Sequence, residues 1–170
     1  SWYRRQRQMC IRDRSMTGSS SSPILEVCVE TIQQGLLAEN NHADRIEFCH
    51  RLDLGGVTPD YDLIRSAVNT IKIPVKIMIR PRGGDFIYSD SEVDKMKSDI
   101  RYCKSIGVEE VVLGALNEDG EVDNRLTQRL AKLAFPMKVT FHKAIDAVNN
   151  FMSSLKALST MENIDSVLTS

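Results

Sequence analysis

Two short apolar runs carry the same pair of chemically capable residues at matching positions: Glu26 and Cys28 in "ILEVCVE" (24–30), and Glu47 and Cys49 in "RIEFC" (45–49). Soft thiolates select Cu(I), an ion content with few ligands, so Cys28 and Cys49 on neighbouring strands would make a copper site if their registers align. The competing reading is that both are small buried packing residues. Two carboxylates sharing a site push one pKa upward and so suit acid/base work, unless Glu26 and Glu47 each neutralise an arginine in a structural layer. In "IRPRGGDFIYSD" (79–90), Arg80, Arg82, Gly83, Gly84 and Asp85 combine two guanidiniums with a glycine pair whose backbone N–H groups can form a nest. That set suits a carboxylate or phosphate, and its alternative use is an arginine paired with Glu26 or Glu47 inside the fold. In "VTFHKAID" (139–146), His142, Lys143 and Asp146 fall at a loop mouth, where a neutral imidazole would be a base or a metal ligand. His50, next to Cys49, is either a further metal ligand or a solvated loop residue.

These side chains need a frame that gathers strand ends. The runs at 24–30, 45–49, 73–79, 108–116, 137–142 and 165–170 read as strands, and helical patterns fill the intervals. "TPDYDLIRSAVNT" supplies a helix start, with Thr58 as N-cap and Pro59 at the first helical position. Val93, Met96, Ile100, Cys103 and Ile106 mark one apolar helix face, so Cys103 is a packing residue. Alternating β and α units predict a parallel sheet. The strand starts repeat every ~28 residues, so eight units would need roughly 230 residues, the size of a (β/α)₈ barrel. Six units leave two apolar edges, which predicts a TIM-like α/β barrel that is C-terminally truncated here. The competing architecture is a doubly wound open sheet. Polar alternation favours the barrel: Glu26, Cys28, Glu47, Cys49, Lys76, Arg80, Thr140 and His142 share one face of their strands, opposite the β-branched and aromatic set. His42, in the turn before the second strand, falls at the other end.

Composition is that of an ordinary globular domain, 42% hydrophobic and 26% charged. A formal charge of −1 conceals an arginine-rich start, "SWYRRQRQMCIRDR", beyond which the chain is acidic and gives no support to a nucleic-acid surface. Residues 1–22 are read as a disordered tail, residues 1–15 being a cloning or sequencing scar ahead of Met16; an RNA-binding arm or a targeting presequence is the alternative. Residues 23–170 form the partial barrel. No apolar run is long enough to span a bilayer, and Cys10, Cys28, Cys49 and Cys103 form no C-x-x-C. Free thiols fit a reducing, cytoplasmic setting.

"LEVCVET", "ADRIEFC", "GGVTPD", "IPVKIMIRPRGGDFIYSD", "DIRYCKSIGVEEVVLGALNEDGEVD", "VTFHKAID" and "VLTS", in that order, resemble the CutC family of copper homeostasis proteins. The resemblance implies a TIM-like barrel in the cytosol and Cu(I) binding, with Cys28 and Cys49 at the proposed ligand positions. It places Glu26, Glu47, Arg80, Arg82, Asp85, His142 and Asp146 at the barrel mouth. Lys143 and Ile145 stand where the family commonly has arginine and phenylalanine, and the chain stops at "VLTS", before the family's later glycine-rich strand and loop. Two functions stay open: copper handling, or an enzyme acting on a small anionic metabolite with an indirect copper link. The implied partners are a copper ion or a small anion, with a second copy of the chain left open and neither nucleic acid nor membrane.

Overall fold

The computed structural model describes residues 23–170. The readings of residues 1–22, Cys10 included, lie outside the described residues. Strands and helices alternate as β1 (Glu26–Val29), α1 (Ile32–Asn40), β2 (Arg45–Phe48), α2 (Tyr61–Thr70), β3 (Val75–Met78), α3 (Asp90–Ser105), β4 (Glu110–Leu113), α4 (Asn124–Ala134), β5 (Lys138–Phe141), α5 (Phe151–Ser159) and β6 (Ser166–Val167). All five strand pairings are parallel, and the spatial order is β1-β2-β3-β4-β5-β6. A doubly wound sheet reverses its order at a switch point. None occurs here, so the sheet curls as a half-barrel wrapped by its helices.

Local chemistry explains most element ends. Thr31, Asp123 and Asn150 cap α1, α4 and α5 through their side chains, and Ser89 and Glu92 form a reciprocal capping box at α3. Helix α2 corrects the sequence reading: it starts at Tyr61 with Asp60 in the cap position, so neither Thr58 nor Pro59 opens it. Thr58 is held elsewhere. Its N–H reaches Arg80 O at 2.9 Å and its Oγ1 accepts from Arg80 N at 2.8 Å, which ties the loop after β2 to the exit of β3. The last strand is also shorter than the apolar run 165–170 predicts, only Ser166–Val167.

The two strand faces divide as the alternation predicts. Val29, Ile46, Phe48, Ile77, Ile79, Val111, Leu113 and Val139 meet Ile64, Met96, Ile100, Cys103 and Leu130 of the helices in one large apolar core. Cys103 is fully buried there, as a packing residue. The opposite face holds a small apolar cluster of Cys49, Met78 and Val112, with Cys28 and Leu52 against it, among polar side chains. Among the described residues no helix is long and apolar enough to cross a membrane.

Candidate functional site

The inner face has three levels. At its floor, near the strand N-termini, Lys76 is 1% exposed, and its ammonium lies 3.1 Å from Glu26 Oε2 and 2.9 Å from Glu110 Oε1. It also donates to Thr140 Oγ1 at 3.0 Å, while that hydroxyl donates to Glu110 Oε1 at 2.6 Å and shares a 2.6 Å hydrogen bond with Ser166 Oγ. Arg45 closes on Glu26 from the neighbouring strand. A buried ammonium needs such a saturated set of acceptors, because removing charge from water costs several kcal/mol per ion.

The middle level carries the thiols. The β1–β2 ladder sets Cys28 opposite Glu47, with Cys49 just past the end of β2 on the same face. Cys28 Sγ lies 3.5 Å from Cys49 Sγ and 3.5 Å from Glu47 Oε1, and the Cys49 thiol points toward Val29 O at 3.7 Å. Glu47 is buried and its Oε2 has no hydrogen-bond partner. Burial, and then the charge of Glu26, push its carboxyl up to about 7, against the contact from Cys28 and the ammoniums of Lys76 and Lys143. The Cys28 thiol is pushed well above its ordinary value by its hydrogen bond with Cys49, by burial and by the Glu47 charge. The Cys28 thiol therefore keeps its proton until a metal displaces it.

The mouth is built from strand exits. Arg80 is buried, and its guanidinium donates to Leu54 O at 3.0 Å, Gly56 O at 3.1 Å and Gly84 O at 2.7 Å, clamping the loops that follow β2 and β3. It lies 4.7 Å from the centre of the Phe86 ring, which in turn stands 5.1 Å from His142. His142 Nδ1 accepts from Ala144 N at 3.1 Å, so the neutral ring carries its proton on Nε2, an atom buried without a partner. Burial, then the Arg80 charge, hold this imidazole down to about 3. Gly114, after β4, makes the room: a Cβ there would sit 2.5 Å from the imidazole.

The CutC family model matches residues 23–170. The chain belongs to the CutC family. Human copper homeostasis protein cutC homolog is 44% identical over 153 residues, 90% of this chain and 56% of that protein. The CutC family protein of Histophilus somni is 42% identical over 134 residues, 79% of this chain and 55% of its own. A solved structure of CutC from Streptococcus agalactiae superimposes with a TM-score of 0.73 at 29% identity, covering 80% of this chain and 66% of that one. The chain thus spans about half the length of the curated relatives it matches.

Within this CutC chain the residues singled out by sequence separate into distinct places. Cys28, Cys49 and Glu47 do converge. Glu26 does not join the mouth: as the first residue of β1 it belongs to the floor, bound to Lys76 and Arg45. Neither mouth arginine pairs with Glu26 or Glu47. Arg82 instead takes Asp85 at 2.9 Å and Glu92 at 2.5 Å, so Arg82 and Asp85 brace the loop into α3. Gly83 is packed against Leu54 and Gly84 adopts φ +87°; their carbonyls serve the arginines. Asp146 is exposed and accepts from Thr169 Oγ1 at 2.5 Å, Ser170 N at 3.0 Å and Ser170 Oγ at 2.9 Å, which fastens the chain after β6. His50 is exposed and bridges Val57 through its backbone. Among the described residues no group of three His, Cys, Asp or Glu side chains is placed to hold a metal ion. Sequence reasoning passed over Lys76 and the Glu110–Thr140–Ser166 layer as functional candidates, although alternation in "VKIM" had already turned Lys76 inward.

Proposed function

We propose that this CutC chain takes part in cytosolic copper handling and that Cys28 and Cys49 are its Cu(I) ligands. The observation that carries the reading is the 3.5 Å approach of the two sulfurs, one on β1 and one just past the end of the adjacent β2. Cu(I) accepts two soft ligands, and sulfurs about 2.3 Å from a shared ion stand up to about 4.6 Å apart, an opening that a small rotamer change supplies. The human relative's description as a copper homeostasis protein supports the same reading. Binding releases both thiol protons, so affinity rises with pH. Anaerobic titration with Cu(I) against a competing chelator is expected to give one tightly bound ion, lost when Cys28 and Cys49 are both replaced by serine. Unchanged stoichiometry and affinity in that variant would overturn the assignment.

A second reading rests on Arg80. This buried cation has backbone carbonyls for partners and no carboxylate within ion-pair distance among the described residues, while the Nε2–H of His142 stands unpartnered nearby. A small carboxylate or phosphate would satisfy both, with Glu47 available for proton transfer. Calorimetric screening of such anions against the wild type and Arg80→Ala tests it: binding confined to the wild type supports the reading, and the absence of any binder sinks it.

A further inference from the structure

We propose that Cys28 and Cys49 form a reversible thiol-oxidation site, at which a small hydroperoxide converts the two facing thiols into an intramolecular disulfide. The sulfurs are already 3.5 Å apart. A disulfide bond is about 2.05 Å long, so closure asks each sulfur to move by less than about 1 Å. Both cysteines are anchored by one ladder, in which Val27 pairs with Ile46, Cys28 with Glu47 and Val29 with Phe48, so their backbones are held side by side while the side chains turn. Gly56, at φ +87°, packs against Cys49: a Cβ there would be 3.3 Å from its sulfur.

Accessibility sets the order of events. Cys28 is partly exposed and Cys49 is fully buried, so Cys28 meets the peroxide and Cys49 resolves. In the first step the Cys28 sulfur attacks one peroxide oxygen, the O–O bond breaks, and the thiol proton passes to the departing hydroxide. Cys28 becomes a sulfenic acid, and hydrogen peroxide leaves one molecule of water. In the second step the Cys49 sulfur attacks the sulfenic sulfur, an S–S bond forms, the S–O bond breaks, and the hydroxyl leaves with the remaining thiol proton as a second water. Two electrons pass from the thiols to the peroxide, and a dithiol reductant reverses the result. Cys103 sits in the separate helix-facing core and takes no part.

The disulfide stands without any copper, but one consequence rests on the copper reading above: an oxidised pair has no thiolates to offer, so peroxide would switch Cu(I) binding off. The test uses metal-free protein carrying Cys10→Ser, treated with hydrogen peroxide and mapped by mass spectrometry without reduction. Expected are a linked Cys28–Cys49 peptide, a protein lighter by two hydrogen atoms, and full recovery with dithiothreitol. In Cys49→Ser, which cannot resolve, dimedone should trap the sulfenic acid on Cys28. Intact thiols after prolonged treatment, sulfinic acid on Cys28 with Cys49 still free, or dimedone on Cys103 would each overturn the proposal. Cu(I) titration of the oxidised protein should show at least about tenfold weaker binding than the reduced form. A linked peptide in a protein that never bound Cu(I) when reduced supports the oxidation site and removes the copper reading.

Discussion

Burial moves two ionisable side chains of the inner face in opposite directions, Glu47 up to about 7 and His142 down to about 3. Their stability signatures are correspondingly opposed. The folded chain holds the Glu47 proton more tightly than the unfolded chain does, so stability falls as pH rises from about 4.5 to about 7 and then levels. For His142 the unfolded chain binds the proton more tightly, so stability falls as pH drops from about 6.5 toward 3. Replacing Glu47 by glutamine isolates the first effect, because the His142 slope is common to both proteins and cancels. Between pH 5 and pH 8, urea unfolding of the wild type should lose about 2–3 kcal/mol relative to Glu47→Gln. Parallel pH profiles would mean that Glu47 is already ionised at pH 5 in the folded chain. The convergence of Cys28, Cys49 and Glu47 was readable from strand alternation, whereas the role of Arg80 was not. Its acceptors are the carbonyls of Leu54, Gly56 and Gly84, groups that every residue possesses and that leave no mark in side-chain type.

Every strand and helix expected from period and caps exists, and the disagreements gather at the ends. Thr58 and Asp60 both have the chemistry of a helix start, and the choice between them falls to Asp60 because Thr58 is engaged by Arg80 across the β2–β3 exits. That tertiary contact is invisible to a local reading. Gly114 shows the same dependence from the other side: at the exit of β4 it looks like a loop glycine, yet its missing side chain is the space that His142 occupies. Gly114→Ala is expected to cost about 1–3 kcal/mol through overpacking. It should also shift the His142 ring resonances in an NMR spectrum. An alanine variant with wild-type melting and unmoved His142 signals would show that the β5 exit yields without strain.

Across the whole sheet, Lys76 of β3 is bound at once to Glu26 of β1, Glu110 of β4 and Thr140 of β5, so one ammonium spans most of the curved sheet. Its replacement by methionine takes the ammonium from the partly buried Glu110 and leaves Glu26 to Arg45, and is expected to cost about 3 kcal/mol in chemical unfolding. Arg82→Ala, which breaks partly exposed pairs, should stay within about 1 kcal/mol. Equal losses in the two variants would show that the floor is hydrated and contributes no more than a surface pair. The barrel, and with it the curl of the sheet, was legible because polar residues recur on one face of several strands; the cross-strand floor that Lys76 ties together was not, since it depends on which side chains meet across the curved sheet. The strand order, β1 through β6 without a single crossing, bears on how the chain acquires its shape. Each strand finds its hydrogen-bonding partner one βα unit away, so no pairing closes a loop much longer than the rest, and the entropy of closure is spread evenly along the chain. Units can dock in succession as they leave the ribosome, each newly arrived strand covering the edge left by the one before it.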